Sequence, residues 1–436
     1  MLIVNTKSPG FEPGFKRLLA RRQARTGEVE AVVRRVINSV RKEGDRGLLK
    51  SISRFDGLKL KAKNLEVPKA EWDRAFKSLT PSERRALQQA AERIRAFHQK
   101  AVPRGFFWVS QGILSASRWL PLERAGVYVP GGRYGYPSSV FMSVIPAKVA
   151  GVEEIIVVTP RKKGGVNRYV LAAAKISGSD RVFGIGGAQA IAALAFGTET
   201  VPRVDKIVGP GNIYVATAKR LVFGEVGIDS IAGPSEVLLV SDGSGKTEEL
   251  ASELLAQAEH DEDAFAILIS TSEPELAEVG RMIRTELEKA GPDSTASRSW
   301  KRNGALIRAA NLPEAFRLSN RLAPEHLVLA VKSPESHLRS IHQAGAIFLG
   351  LSSVVAFGDY LAGPSHILPT GGSARFLSPL GVEDFCKRSS VIKVEKKGIR
   401  SLGRTVIALA RLEGLEWHAR SVEIRMNKSS ARGHQS

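Results

Sequence analysis

Two short segments in the second half of the chain hold the side chains best suited to chemistry. In one, Gln257 and His260 are three residues apart, a spacing that puts both on one face of a predicted helix. In the other, Glu325 and His326 are neighbours and set a carboxylate beside an imidazole. An imidazole and an amide oxygen can form half of a metal site, and a carboxylate with an imidazole can exchange protons with a substrate. A metal half-site and an acid/base pair are what metal-dependent chemistry on an alcohol would need.

Neither pair is decisive by itself. A Gln and a His one helical turn apart are more often surface residues than ligands, and Pro324-Glu325-His326 is equally compatible with the start of a strand. If the second pair is functional, an imidazole with an ordinary pKa of about 6.5 can accept the proton of a hydroxyl near neutral pH. The carboxylate can then activate a water molecule.

Length and composition bound the class of protein. With 436 residues, 43% of them hydrophobic, the chain can bury a large core and should form at least two domains. One cysteine, Cys386, excludes an intrachain disulfide and a cysteine-cluster metal site. The N-terminus shows no secretory signal, and the most apolar window, residues 182–201, is broken by glycines and polar residues. We therefore expect a cytoplasmic protein with no membrane insertion.

The net charge of +20 raises the question of nucleic-acid binding. Basic residues are concentrated near the N-terminus, as in Arg17, Arg21, Arg22 and Arg25. No segment combines basic and aromatic residues in a helix-turn-helix, zinc-finger or RNA-recognition pattern. We therefore do not expect nucleic acid as the main partner, and the charge is compatible with attraction of an anionic pyrophosphate.

Patterns along the chain predict the α/β class. Residues 28–100 have apolar residues at helical spacing, with Thr80 as an N-cap. From Gly126 onward, short β-branched runs end in Gly or Pro and are followed by helical patterns, which indicates a parallel, doubly wound sheet. These predicted strands begin at Gly126, Glu154, Arg181 and Lys206, and a second region has strands at 237–241, 264–270 and 327–331. A short run at 391–394 and two helices, 402–412 and 413–426, precede a polar tail from Asn427.

One glycine-rich turn follows a strand and opens a helix, as a dinucleotide-binding turn would. In Gly184-Ile185-Gly186-Gly187-Ala188-Gln189, however, Gln189 stands where the Rossmann fingerprint has its third glycine. The acidic residue about twenty positions on, Asp205, precedes the next strand instead of ending it. The turn alone therefore leaves a structural role and a cofactor role both open.

Taken together, these segments closely resemble the histidinol dehydrogenase family. The resemblance extends over about residues 25–426 and is densest from Gly126 to Val240. It implies two incomplete Rossmann-like doubly wound domains with N-terminal and C-terminal helical arms. The implied division is an arm at 1–30, a discontinuous α/β domain at 31–125 and 237–380 with the metal and acid/base residues, a cofactor domain at 126–236, and an arm at 381–436.

The resemblance also implies NAD⁺ and one Zn²⁺ per subunit. Cofactor contacts match Tyr128 in Val127-Tyr128-Val129-Pro130-Gly131-Gly132, Gln189, and Asn212 in Gly209-Pro210-Gly211-Asn212. The metal ligands match Gln257, His260, Asp359 and His418. Two imidazoles, a carboxylate and an amide oxygen would hold zinc without saturating it, and the weak amide ligand predicts a labile metal.

The implied substrate is L-histidinol, whose imidazole and amine would supply two further nitrogen donors. Substrate contacts match Ser235, His366 and Glu413, together with the metal ligands and His326. The family reaction runs from alcohol to aldehyde to carboxylate with two NAD⁺, and Glu325 and His326 match its acid/base residues. The only thiol, Cys386, lies in an apparent helix away from every motif, so we expect a hydrated aldehyde and no thiohemiacetal.

Glu413 and His418 lie in a C-terminal segment that crosses to the partner subunit in this family, which implies an intertwined homodimer. Two alternatives stay open. One is a paralogous zinc- and NAD-dependent dehydrogenase of another small alcohol, such as a sulfonated diol; the other is a basic nucleic-acid-binding module. Glu413 favours the cationic histidinol, since an anionic substrate should face a cationic residue.

Overall fold

The structure, a computed structural model, describes residues 2–22, 26–131 and 135–430. Arg25, Gly132 and the end of the polar tail, with His434, lie outside the described residues. The chain divides into two compact units. Unit 1 comprises the residues up to Ala101 and Leu122–Phe385, and unit 2 comprises Val102–Pro121 and the residues from Cys386 onward.

The described part of the chain is mixed α/β. The helices of unit 1 are α1 (Phe11–Arg21), α2 (Glu30–Glu43), α3 (Asp45–Phe55), α4 (Lys69–Lys77), α5 (Pro81–Lys100), α6 (Pro137–Ala150), α7 (Arg168–Ser177), α8 (Gly187–Phe196), α9 (Ile213–Val222), α10 (Thr247–Ala258), α11 (Glu273–Ala290), α12 (Thr295–Asn303), α13 (Leu312–Leu322) and α14 (Val355–Tyr360). Those of unit 2 are α15 (Lys396–Leu412) and α16 (Glu416–Ser430).

The strands form three sheets. They are β1 (Leu2–Asn5), β2 (Phe106–Ser110), β3 (Ile113–Pro121), β4 (Arg124–Tyr128), β5 (Glu154–Val158), β6 (Arg181–Phe183), β7 (Lys206–Val208), β8 (Gly227–Ile228), β9 (Glu236–Ser241), β10 (Phe265–Ser270), β11 (Ala305–Arg308), β12 (His326–Ala330), β13 (Ala346–Leu349) and β14 (Cys386–Val394). Unit 1 holds the six-stranded sheet β1-β11-β10-β9-β12-β13 and the five-stranded sheet β6-β5-β4-β7-β8, and unit 2 holds β14-β3-β2.

Both sheets of unit 1 are parallel and share one strand order. In the six-stranded sheet β9 lies in the middle, with β10 and β11 on one side and β12 and β13 on the other. In the five-stranded sheet β4 takes the middle position, with β5 and β6 on one side and β7 and β8 on the other. The strand β1 extends the six-stranded sheet beyond β11. The predicted class, with two Rossmann-like doubly wound sheets and helical segments at both ends, is confirmed. The residue boundaries proposed for the domains remain a prediction.

The two faces of each parallel sheet are buried. In the six-stranded sheet Leu238 and Val240 pack in one cluster while Val237 and Leu239 pack in another, because successive side chains point to opposite faces. Fully burying each such side chain contributes about 1.5–3 kcal/mol relative to exposure. Two-sided burial explains why these strands read as continuous apolar runs.

The early helices form as predicted, and their caps explain where they begin. The Thr80 hydroxyl accepts from Glu83 N–H and the Glu83 carboxylate accepts from Thr80 N–H, a reciprocal cap at the start of α5. The buried face of α2 is Val33, Val36, Ile37 and Val40. None of the described helices is both long and apolar enough to cross a membrane.

The prediction that Cys386 lies in a helix is wrong. Cys386 is the first residue of β14, where it pairs antiparallel with Pro121 of β3. The pairing partner is far away in sequence, so the local pattern around Cys386 does not reveal it. The strands β2 and β3 were not predicted either, although they pair locally as a hairpin around Gln111 and Gly112.

Candidate active site

The adjacent Glu325 and His326 are held by one residue of the neighbouring strand. His326 opens β12, Glu236 opens β9, and the two strands are hydrogen-bonded neighbours. The main-chain N–H of Glu236 donates to Oε2 of Glu325 at 2.7 Å, and Nδ1 of His326 lies 3.0 Å from the main-chain oxygen of Glu236. A carbonyl oxygen only accepts, so Nδ1 carries the proton. In the neutral ring Nε2 is then the basic nitrogen.

Burial shifts the pKa of both groups, since each residue is only 6% exposed. Burial raises the pKa of Glu325 well above its ordinary value, and the nearby charges of Glu236 and Asp359 add to the increase. Burial lowers the pKa of His326 below 6.5, against the opposing charge of Asp359. The imidazole is therefore neutral at neutral pH, and the carboxylate is a stronger base than an exposed Glu.

A second imidazole and carboxylate are held together by α14 and the loop that follows it. Nδ1 of His366 donates to the main-chain oxygen of Asp359 at 3.0 Å and lies 3.8 Å from its Oδ1. Burial lowers the pKa of His366, while the charge of Asp359 opposes the decrease. The first residue of α14, Val355, donates its N–H to Oε2 of Glu253 at 3.2 Å. Glu253 lies one turn before Gln257 on α10, so this contact joins the elements that hold Gln257 and Asp359.

The predicted placement of Gln257 and His260 on one helix is wrong for His260. The helix α10 ends at Ala258, and His260 follows in a turn. The His260 N–H donates to the main-chain oxygen of Gln257. Gln257 is buried in the last turn of α10, whereas His260 is exposed. The two residues remain neighbours, but through a turn that reverses the chain toward β10.

His260 and Asp359 lie close enough to His326 and His366 to affect their protonation. The charges of both residues shift the pKa of His326 and of His366. Among the described residues of the single chain, no group of three or more His, Cys, Asp or Glu side chains could hold a metal ion. Of the predicted ligands in unit 1, only His260 and Asp359 are of these types, so this finding does not test an amide ligand or one from another subunit.

These side chains lie at the amino edge of the six-stranded sheet. Ser235 and Glu236 precede or begin β9, and Glu325 and His326 precede or begin β12. β9 and β12 lie next to each other at the point where the strand order reverses. Ligands of open α/β sheets usually bind at the carboxyl ends of strands at this point. The candidate acid/base pair uses the opposite edge.

The five-stranded sheet carries its predicted residues at the usual carboxyl edge. Tyr128 ends β4 and Asn212 caps α9 after β7, so they flank the reversal of strand order in this sheet. The Tyr128 hydroxyl accepts from Gly187 N–H at 3.2 Å, and burial raises the pKa of Tyr128 to about 12. Asn212 Oδ1 accepts from Tyr214 and Val215 N–H. Gln189 is buried, and its amide donates to Asp56 Oδ2 at 3.1 Å.

A buried ion pair shapes the Gly-Pro-Gly-Asn turn. Lys219 Nζ contacts Asp229 Oδ1 and donates to the Gly209 oxygen at 3.0 Å, while Asp229 Oδ2 accepts from Gly209 N–H at 2.7 Å. Gly209 has φ +109, and a Cβ there would lie 2.1 Å from the main-chain oxygen of Tyr128. Only glycine fits this approach.

Three observations connect this half of unit 1 with the acid/base half. Ser365 Oγ donates to the Met142 oxygen of α6 at 3.4 Å, and Ile367 shares a buried cluster with Val140 and Phe141. The charge of Tyr136, just before α6, contributes to the raised pKa of Tyr360, which follows Asp359.

The remaining predicted residues belong to unit 2. Glu413 is the C-cap of α15 and His418 lies on α16; both are exposed. Their surroundings include exposed apolar side chains, with Leu412 84% and Trp417 85% exposed. Apolar exposure on this scale is typical of an interaction surface.

Sequence reasoning missed the residues that support the site. Glu236 follows Ser235 in a recognised motif, but its role rests on main-chain groups. Arg22, Asp56 and Glu253 come from segments with no motif. The local sequence carries no signal for these roles, because Arg22 lies among other basic residues and Asp56 and Glu253 lie in mixed polar and apolar stretches.

Comparison with known proteins agrees with this architecture. The model of the histidinol dehydrogenase family matches residues 19–426. Histidinol dehydrogenase of Geobacter metallireducens is 50% identical over 430 residues, which cover 98% of this chain and 98% of that one. Histidinol dehydrogenase of Pseudomonas syringae pv. syringae is 48% identical over 425 residues, with 97% and 95% covered. A crystal structure of histidinol dehydrogenase from Elizabethkingia anophelis matches with a TM-score of 0.92 and 33% identity, covering 98% of each chain.

Two doubly wound parallel sheets and a buried carboxylate–imidazole pair define an α/β enzyme, here an oxidoreductase. The chain belongs to the histidinol dehydrogenase family.

Proposed function

We propose that the protein oxidises L-histidinol through L-histidinal to L-histidine with two NAD⁺, the last steps of histidine biosynthesis. One observation carries the proposal. The Nδ1 proton of His326 is held by the Glu236 carbonyl, which leaves Nε2 as a base beside the buried Glu325. In the first oxidation Nε2 takes the hydroxyl proton as the carbon–hydrogen bond breaks and hydride leaves.

Glu325 acts in the second oxidation. Its carboxylate takes a proton from a water molecule whose oxygen adds to the aldehyde carbon. The resulting hydrate has a hydroxyl that His326 can deprotonate while a second hydride leaves, and the carboxylate product forms. The raised pKa of Glu325 makes it a suitable base. Because the second oxidation uses a hydrate formed with water, this route requires no covalent enzyme intermediate, and Cys386, the only thiol, takes no part in it.

The residues of unit 1 fit a divalent cation. Burial is the main cause of the raised pKa of Glu253 and of Glu325, and the Asp359 charge adds to both increases. The ion pair found for Asp359 among the described side chains is to His366 alone. A bound cation would offset this concentration of acidic groups. We propose Gln257, His260, Asp359 and the partner subunit's His418 as zinc ligands. Bound zinc would supply a charged centre that holds the substrate oxygen and nitrogen atoms, and NAD⁺ would accept hydride.

The remaining assignments are part of the same proposal. Tyr128, Gln189 and Asn212 contact NAD⁺, and Ser235, His366 and Glu413 contact the substrate. The positive end of α9 and the N–H of Gly211 suit a pyrophosphate, while the N–H of Gly209 is held by Asp229. The exposed apolar residues beside His418 support a homodimer in which this arm completes the partner's site.

The test is the number of NADH molecules formed per L-histidinol under limiting substrate. We expect two, with activity lost on chelation and recovered on addition of zinc. One NADH with accumulation of aldehyde would contradict the role of Glu325, and full activity of metal-free enzyme would contradict the metal site. Faster turnover of a sulfonated diol than of L-histidinol would favour the paralogous dehydrogenase.

A further inference from the structure

A buried ion pair joins the N-terminal arm to the candidate acid/base pair. The Arg22 guanidinium binds the Glu236 carboxylate through two nitrogens, Nε to Oε1 at 2.9 Å and Nη2 to Oε2. Arg22 is 2% exposed and Glu236 1% exposed. We propose that Arg22 is a positioning residue for the proposed acid/base chemistry: it fixes Glu236, whose main chain orients Glu325 and His326.

The orientation of Glu325 and His326 depends on the main chain of Glu236. Its N–H donates to Glu325 and its carbonyl oxygen accepts a hydrogen bond from Nδ1 of His326, so a rotation of this one residue would misplace both groups. The residue begins β9: it pairs with Phe265 of β10, whose N–H donates to the Ser235 oxygen at 2.9 Å, but the pairing with β12 starts one residue later, at Val237. On the side that faces Glu325 and His326, its orientation therefore depends also on the contacts of its side chain.

Arg22 also contacts the segment that leads to Glu325. Its Nη1 donates to the oxygen of Leu322, the last residue of α13, at 2.7 Å. The chain then turns through Ala323, which has φ +49, and reaches Pro324 and Glu325. A left-handed conformation in a residue other than glycine persists only when its surroundings hold it.

The Glu236 carboxylate reaches a third segment. Oε1 accepts from Gly371 N–H at 3.0 Å, and the Thr370 hydroxyl accepts from Gly233 N–H at 2.6 Å. These contacts fix the loop after His366 to the segment that contains Ser235. One ion pair thus links three segments, each with a residue of the proposed site.

Stability alone does not explain this arrangement. Burying a charged pair costs desolvation energy, and a well-packed apolar pair of similar volume often stabilises a fold equally well. The guanidinium fixes the orientation of the Glu236 carboxylate, because its planar group binds a carboxylate in one geometry. It retains a further donor for the Leu322 oxygen.

The test compares Arg22→Lys and Arg22→Met with wild type in the zinc-loaded dimer. Both variants should bind L-histidinol within a few-fold of wild type by calorimetry, while kcat falls by about 100-fold in Arg22→Met. Arg22→Lys keeps the charge but not the fork, so it should retain the wild-type melting temperature more closely and still lose much of kcat. If Arg22→Met does not fold, Arg22→Lys decides the question by the same comparison of kcat and affinity.

Arg21→Met is the matched control. Arg21 is the last residue of α1, directly before the C-cap Arg22, and contacts Arg302 and Asn303, outside the three segments, so kcat should be unchanged. Because the proposal rests on the proposed function, Glu325→Gln and His326→Gln are measured alongside. Loss of activity in these two with wild-type kcat in both Arg22 variants would overturn the role of Arg22 alone. Wild-type activity in Glu325→Gln and His326→Gln would instead overturn the proposed function.

Discussion

At the scale of single residues, the tautomer of His326 decides which nitrogen can act as base. The Glu236 carbonyl fixes the proton on Nδ1, and burial keeps the ring neutral at neutral pH. Neutral imidazole with a free Nε2 is the form that can accept a hydroxyl proton. The chemistry therefore depends on a main-chain group that no motif search would select.

We predict that His326→Gln lowers kcat by about 10²–10⁴-fold, the usual contribution of a positioned base. Because burial lowers the His326 pKa, protonation should inactivate wild type only below pH 6.5, on the acidic side of the kcat/KM profile. A steady-state pH series measures both effects. His342→Gln, a change at an exposed histidine, should match wild type. Equal kcat in the two variants would remove His326 from the mechanism.

His98 makes a different prediction because it is buried without partners. It is 1% exposed, and neither ring nitrogen has a hydrogen-bond partner among the described residues. Burial lowers its pKa from 6.5 to about 4. Between pH 6.5 and about 4, the unfolded chain therefore binds a proton at His98 and the folded chain does not. The contribution of neutral His98 to the free energy of unfolding is complete above pH 6.5 and is lost as the pH falls toward 4.

We expect His98→Leu to weaken this pH dependence. Urea unfolding at pH 7.5 and pH 5 (about 1 unit above and about 1.5 units below the ordinary histidine pKa) should show a smaller loss of unfolding free energy in the variant than in wild type. His342→Leu, at an exposed position, should lose as much as wild type. Identical losses in all three proteins would show that His98 does not titrate as described.

At the scale of elements, two sheets of one topology use opposite edges. The five-stranded sheet presents its candidate cofactor residues at the carboxyl ends of its strands, whereas the six-stranded sheet presents its acid/base pair at the amino ends. The C-terminal end of α10 returns to that amino edge, which explains why Gln257 and His260 lie there. The metal site then depends on how α10 is joined to α14.

That joint is the hydrogen bond from Val355 N–H to Glu253. We predict that Glu253→Ala weakens zinc binding by about 10–100-fold, because residues that orient ligands typically contribute this much. Competition with a chelating dye measures the affinity. Glu253→Gln keeps an acceptor oxygen and should lose less.

Glu249→Ala is the control for this prediction. Glu249 is on the same helix and pairs with Lys246 at the surface, so zinc affinity should not change. Zinc affinity in Glu253→Ala equal to that in Glu249→Ala would mean that α14 is positioned by other contacts.

Whether a feature could be predicted from the sequence depends on how far apart along the chain the interacting residues lie. The start of α5 was predictable because Thr80 and Glu83 are three residues apart. The end of α10 before His260 and the strand at Cys386 were not, since they depend on a chain reversal and on pairing with β3. The candidate site divides in the same way. Its motif residues could be matched by resemblance, but Arg22 and Glu253 gain their roles only when distant segments meet.

At the scale of the whole molecule, the proposed arm from a partner can be tested by mixing subunits. Glu325→Gln and His418→Ala should each be inactive as homodimers. In a hybrid dimer, purified through two different tags, one site would combine the intact core of one subunit with the intact arm of the other. We predict about half of wild-type activity, from one intact site of two.

A second hybrid decides between a shared site and a general effect of mixing. Glu325 and His326 lie in the same unit of the same chain, so a hybrid of Glu325→Gln with His326→Gln has a damaged core in both sites. It should be inactive whether or not the arms cross. If each subunit instead used its own His418, the first hybrid would contain one damaged core and one damaged arm in separate sites, and it too would be inactive. Activity in the first hybrid with none in the second is therefore expected only when His418 acts across the dimer.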